Sequence, residues 1–435
     1  MRKNIRRAIA VVLAAGMTML TACGTKDNTA TQNESQDVTA QPQVTTSSPV
    51  QTQVQTSTTG KFSYTTPEIS IESQTVPESE AQTFADGLKL GWNLGNTFDC
   101  YSDSPVDDEM SLETMWCGVE TTKDMMKTLK DAGFNAIRIP VSWHNHVSGD
   151  DYTISDEWIA RVKEVVDYCI DNDMYVILNI HHDNSTDFYY PSSDYLEQSE
   201  KYVKSIWSQL AAYFADYEDH LIFESLNEPR LVGTSYEWSL SLGNDDCVDA
   251  VNCINKLNQD FVDTVRATGG NNATRYLMVP GYDASAGGVT NKYFVVPTDT
   301  VQGRLLLSVH AYIPYNFAQE ASTETGSVDE FDPDDNNSTK DILGMMKVLY
   351  QMYVSKGQPV VIDEFGAIAK GANVQARINY AAYYVACARS YGITCFWWDN
   401  NDFSATDNGA LGLFNRRLNK IPFIKIVEAM VKYAY

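Results

Sequence analysis

Between Ala81 and Tyr435, short apolar runs alternate with segments of helical spacing. The runs are "LKLGWNLGN" near Leu88, "AIRIPVSW" near Ala136, "YVILNIHHD" near Tyr175 and "LIFESLNEP" near Leu221. They continue with "RYLMVPGYD" near Arg275, "LLLSVHAYI" near Leu305, "PVVIDEFGA" near Pro359 and "TCFWWDNND" near Thr394. Between them, "DEWIARVKEVVDYCIDND" places Ile159, Val162, Val165, Val166 and Ile170 at helical spacing, and "EKYVKSIWSQLAAYFADY" is a second helical segment. Continuous apolar runs that alternate with helices predict a parallel sheet covered by helices. Eight such units in about 350 residues predict a (β/α)8 barrel of the α/β class rather than a doubly wound sheet. No glycine-rich phosphate loop follows any run, which removes most nucleotide-binding alternatives.

The polar residues come at the ends of the runs. They are Asn93 and Asn96, Arg138, His181 and His182, Asn227 and Glu228, His310 and Tyr312, Asp363 and Glu364, then Trp397, Trp398 and Asp399. Only the fifth run, ending in Tyr282 and Asp283, is weak in this respect. In a (β/α)8 barrel the C-terminal strand ends converge on one mouth, where active sites lie. Glu228 ends the fourth run and Glu364 the seventh, so they face each other across it. Two carboxylates across a cleft, one protonated and one ionised, are what glycosidic bond cleavage needs. Arg138 is a cation able to hold one of them ionised.

Asp363 competes with Glu364 for the second position. Period-two alternation predicts opposite faces for the two, so only one is expected at a shared site, and the alternation leaves open which. Glu224 lies four residues before Glu228, on the same pleat face and deeper in the barrel, and reads as structural. Sugar rings have apolar faces that stack on flat aromatic side chains. Trp398 is the leading platform candidate; Trp143 and Trp92 are weaker, because core packing explains them as well.

Charge and the N-terminus then change the picture. Lys and Arg number 32 against 57 Asp and Glu, a formal charge of −25, which argues against nucleic acid as a partner. The opening "MRKNIRRAIAVVLAAGMTMLTAC" has a basic start and an apolar run too short for a comfortable membrane span, as a secretory signal does. Its end, "LTAC", resembles the bacterial lipobox, and that resemblance implies lipidation of Cys23. From Gly24 to about Gln74 the chain is rich in Thr, Ser and Gln and nearly free of aromatics, as a disordered tether is. The expected organisation is a lipoprotein signal peptide over 1–22, a lipidated cysteine and linker over 23–75, and a catalytic barrel over 76–435. Seven cysteines remain besides Cys23. Cys169, Cys387 and Cys395 fall in core patterns. Cys100 with Cys117, and Cys247 with Cys253, are candidate disulfides, with all thiols free as the alternative. No CxxC pair suggests a metal.

The motifs "GWNLGNTFD", "GFNAIRIPVSWHNH", "NIHHD", "FESLNEPR", "VHAYIPYNF", "VIDEFGA" and "FWWDNND" occur in order over about Ala81 to Tyr435. Together they resemble glycoside hydrolase family five, and the first two resemble its subfamily four, mostly endo-β-1,4-glucanases. The resemblance implies Glu228 as acid/base and Glu364 as nucleophile of a retaining reaction. It implies that Asn227 holds the substrate 2-hydroxyl, that Arg138 and Tyr312 flank the nucleophile, and that His310 stands by the acid/base. His181 is expected near substrate and Trp398 beneath the cleaved sugar, with Asn93 and His182 in support. No metal or organic cofactor is implied. The expected partner is a β-glucan polysaccharide, with a lipid anchor at Cys23 holding a monomer on the extracellular face of the membrane, or a secreted protein if the signal peptide is an ordinary one and Cys23 is incidental. A xyloglucanase, mixed-linkage glucanase or β-mannanase of the same fold is the alternative within the class. Outside it stand a non-catalytic glycan-binding lipoprotein and a metal-dependent hydrolase using His181, His182, His310 and Asp363.

Overall fold

A computed structural model describes residues 63–404 and 409–435. The signal segment, Cys23 and the linker up to residue 62 lie outside the described residues. Eight parallel strands close into a barrel: β1 Leu90–Leu94, β2 Ala136–Ile139, β3 Tyr175–Asn179, β4 Leu221–Glu224, β5 Leu277–Ser285, β6 Leu305–His310, β7 Val360–Phe365 and β8 Thr394–Asp399. Each strand hands over to a helix on the outside: α1 Lys123–Ala132, α2 Asp156–Ile170, α3 Leu196–Tyr213, α4 Asp245–Ala267, α5 Ala286–Thr290, α6 Asn336–Met352, α7 Val374–Ser390 and α8 Ile424–Ala434. The (β/α)8 expectation is met.

Local chemistry sets these elements. Ser155 caps α2 by accepting the Trp158 amide, and Asp156 and Glu157 favour its positive end. The face that α2 buries carries Trp158, Ile159, Val162, Val165, Val166 and Cys169, the period read from the sequence. Helix α1 stops at Gly133, whose φ of 109° suits a residue without a Cβ.

Side chains alternate along a strand, so each strand sends every second residue into the barrel. Ala136, Ile177, Ile222, Met278, Leu306, Val361 and Phe396 form one apolar layer near the bottom, closed from below by Ala85 and Leu88 at the end of the helix Glu80–Gly87. Two residues further up each strand stand Arg138, Asn179, Glu224, Pro280, Ser308, Asp363 and Trp398. The barrel therefore changes from apolar to polar in one step of the pleat, and the site begins there.

The chain from residue 63 to Ser79, placed partly in the linker by the sequence reading, runs along the barrel surface. Gln375 clasps Thr65, the Ile69 amide donates to the Tyr433 hydroxyl and the Gln74 amide donates to the Ser390 carbonyl. Ile69, Ile71 and Val76 pack against the core. The seven described cysteines are free thiols. Cys247 and Cys253 both lie within helix α4, six residues apart and so on different faces, which removes them as a pair.

Candidate active site

Arg138 is the centre of the site. It is fully buried on β2, and its guanidinium reaches four strands. Nε donates to Glu224 at 2.7 Å and lies 3.4 Å from Asp363; Nη1 donates to Glu364 at 2.7 Å and to Asn93 at 3.1 Å; Nη2 donates to Asn227 at 2.8 Å and to Glu224 at 3.1 Å and lies 3.5 Å from the His310 Nε2 on β6. Asn93 also donates to the Asp363 carbonyl at 2.8 Å, so it orients the arginine and β7 together. A planar five-donor fork suits this many fixed acceptors better than an ammonium would.

Glu364 receives Arg138 on one oxygen and the Tyr312 hydroxyl, at 2.8 Å, on the other. Burial pushes its carboxyl above the ordinary glutamate value, while the charges of His310 and Arg138 pull against that. Glu228 stands across the mouth, with its Oε1 2.8 Å from His310 Nδ1. Burial raises its carboxyl, but His310 and then Arg230 outweigh this and hold it at about 2. His310 is held well above its ordinary value: burial works against the charge, and Glu364 and Asp363 outweigh it. The bonded pair of Glu228 and His310 thus shares one proton at neutral pH, with the imidazole as its resting holder. One carboxylate oxygen of Glu228, one of Glu364 and a nitrogen of His310 lie within 4.8 Å of one another.

The alternation argument for Asp363 and Glu364 is overturned. Ile362 pairs with Val309 and Cys395, but the next pairs are Glu364 with His310 and Phe365 with Trp397. Strand β7 therefore carries one extra residue relative to both neighbours. This bulge turns Glu364 inward although Asp363 already points inward, and both reach Arg138.

The predicted sugar contacts surround this centre. The His181 ring lies parallel to Trp398, with centroids 5.7 Å apart. Burial, then His182 and Arg138, lower the His181 pKa, so its ring is neutral. Trp398 is partly buried at the C-terminal end of β8. His182 sits 3.9 Å from Asp99 and against Tyr101 and Trp116. Trp143 and Trp92, the weaker platform candidates, are fully buried core residues; their indole N–H groups donate to the Asn179 carbonyl and to Asp399.

Two aromatic features were missed. Trp238, 47% exposed in the loop after Glu228, carries the Arg230 guanidinium 3.8 Å above its ring, and Arg230 donates to the Glu228 carbonyl. Trp116, 41% exposed in the loop after β1, forms an edge contact with Tyr101 and lies against His182. Both sit in long loops, where no periodicity marks which rings face the cleft. The histidines proposed as metal ligands divide: His310 lies between Glu228 and Asp363, whereas His181 and His182 group with Asp99. The His181 Nδ1 faces the Asn179 amide nitrogen at 3.2 Å, a donor, where a metal-bound histidine wants an acceptor.

The family described as Cellulase (glycosyl hydrolase family 5) matches residues 101–404. Endoglucanase A of Clostridium longisporum is 40% identical over 370 residues, covering 83% of this chain and 67% of that protein. Endoglucanase B of Ruminococcus albus is 38% identical over 377 residues, covering 84% and 86%. A family 5 lichenase from Caldicellulosiruptor sp. F32, solved in complex with cellotetraose, is 54% identical with a TM-score of 0.84, covering 86% of this chain and all of that one. A xyloglucan-specific endo-β-1,4-glucanase from a metagenomic library, in complex with cellotriose, is 36% identical with a TM-score of 0.72, covering 80% and 98%. With its barrel, its paired carboxylates and these relatives, the chain belongs to glycosyl hydrolase family 5.

Proposed function

We propose that this protein is an endo-acting β-1,4-glucanase that cleaves cellulose-like and mixed-linkage β-glucans with retention of configuration. The observation that carries the reading is the close approach of Glu228 and Glu364, oxygen to oxygen within 4.8 Å. Retaining enzymes hold their carboxyl groups about 5–5.5 Å apart; inverting ones leave about 6.5–9.5 Å for a water. The division of support fits two roles. Glu364, held by a guanidinium and a phenol and with no proton donor to lose, attacks the anomeric carbon. Glu228 passes the proton it shares with His310 to the leaving oxygen. The glycosyl–Glu364 ester then forms, and Glu228 takes a proton from the water that opens it. Asn227, fixed by Arg138, presents its amide N–H to the 2-hydroxyl of the cleaved sugar, and Trp398 is the floor beneath it.

The substrate class follows from the mouth. Trp116 and Trp238, exposed in the loops after β1 and β4, offer aromatic surfaces on which the sugar rings of a polymer can stack. The names of two relatives, a lichenase and a xyloglucan-specific glucanase, support mixed-linkage glucan as a substrate and xyloglucan as the second reading. A product profile on carboxymethylcellulose, mixed-linkage glucan, xyloglucan and mannan tests this. Rapid loss of viscosity with β-configured products is expected on the first two; release of single sugars only, or α-configured products, would sink the reading.

The basic start, the apolar run and "LTAC" support a surface lipoprotein on the outer face of the membrane. Cys23→Ser is expected to release the full chain from washed membranes; retention there would contradict the anchor.

A further inference from the structure

Beneath the paired glutamates lies a second, wholly buried carboxylate pair, Glu224 on β4 and Asp363 on β7. The single hydroxyl of Ser308 stands between them, 3.0 Å from Glu224 Oε1 and 2.8 Å and 2.9 Å from the two oxygens of Asp363. A hydroxyl carries one proton and an ionised carboxylate carries none. If both carboxylates were ionised, one of these contacts would be oxygen against oxygen with no hydrogen. Asp363 is the natural acceptor. It also takes the Val309 amide at 3.1 Å and lies 3.7 Å from the His310 Nε2. Glu224 has no donors other than Arg138 and Ser308 among the described residues.

We infer that Glu224 keeps its proton at working pH and donates it to Ser308, which donates to Asp363, so that Glu224 is a positioning residue that leaves the charge of Arg138 to the nucleophile. The groups that face Glu224 set this balance: Arg138 from β2, Asn179 from β3, Ser308 and His310 from β6, and Asp363 and Glu364 from β7. Two cations, Arg138 and protonated His310, then answer the ionised carboxylates Asp363, Glu364 and Glu228, instead of those three plus Glu224. The directions agree: burial, offset in part by Arg138 and reinforced by Asp363, raises Glu224 to about 8, while His310 and Arg138 overcome burial at Asp363 and hold it at about 2. The sequence reading of Glu224 as merely structural is thereby sharpened.

The test compares Glu224→Gln with Asp363→Asn in the full chain, reading the melting temperature and the pH profile of kcat/KM on a soluble β-glucan. A neutral amide replaces a neutral acid in the first variant. It should therefore melt within a few degrees of the parent, retain turnover to within about tenfold, and leave the acid limb of kcat/KM in place. Asp363→Asn removes an ionised group and should lose both stability and about a hundredfold or more in turnover. A Glu224→Gln protein that fails to fold overturns the inference. So does one whose acid limb moves to lower pH by about one unit, since removing a true negative charge beside Arg138 would ease the ionisation of Glu364.

Discussion

At the residue scale, what distinguishes the two glutamates is the chemistry of their partners rather than their burial. Glu364 accepts from two groups, Arg138 and Tyr312, that stay protonated through the neutral range. Glu228 is bonded to a histidine, whose proton is exchangeable. In the proposed reaction Glu364 attacks and Glu228 moves a proton, a division their environments support. Replacing Glu364 by Gln removes the attacking oxygen while keeping shape and volume. Turnover of soluble cellulose derivatives is expected to fall by about 10⁴-fold or more with the melting temperature little changed. Residual activity within a hundredfold of the parent would contradict the assignment. Attack also needs Glu364 ionised. Because burial raises its carboxyl, the protonated form persists above the ordinary glutamate value of 4.5, and activity should fall as pH drops through that raised pKa. An acid limb of kcat/KM below pH 4.5 would contradict this.

At the element scale, the strand-end rule was legible and the bulge was not. Polar residues at the ends of apolar runs mark the mouth because strand ends converge there, and Arg138, His181, Glu228, His310 and Glu364 were all found that way. Parity failed at β7, where the extra residue at Asp363 and Glu364 leaves no mark in composition or spacing. A bulge is an event of pairing with neighbours, and a single strand's sequence does not contain its neighbours. Loops were equally closed to inspection. Trp238 lies ten residues past Glu228, and only the folded loop shows Arg230 stacked on its ring beside that carboxylate. This exposed ring is expected to carry a sugar of the bound polymer. Trp238→Ala is expected to raise KM on cello-oligosaccharides about tenfold, as loss of one stacking contact would, with kcat changed less than threefold. An equal loss in kcat and no change in KM would instead make Trp238 a support for Arg230.

At the scale of the whole molecule, the barrel layers its polarity: an apolar floor, a polar layer built on Arg138, and the paired carboxylates above. Among the described residues no helix is long and apolar enough to cross a membrane. The linker boundary was harder to read than the barrel, because composition from residue 63 onward is still mixed. Yet Tyr64, Ile69, Ile71 and Val76 recur there, and in the fold they pack against the core beside α7 and α8. Val76 also meets Gly392, where a Cβ would come within 2.6 Å of its methyl, so the contact is close-fitting. Partial burial of three aliphatic side chains stabilises by about 3 kcal/mol in all. The clasp of Thr65 by Gln375 and the bonds to Tyr433 and Ser390 add to this. None of these residues contacts Glu228, Glu364 or Arg138. A chain that begins at Ser79 should therefore melt roughly 5–10 °C below one that begins at residue 62, with kcat/KM on soluble glucan unchanged at 25 °C. Equal melting temperatures would return this segment to the linker, and a loss of kcat/KM without a loss of stability would tie it to the mouth.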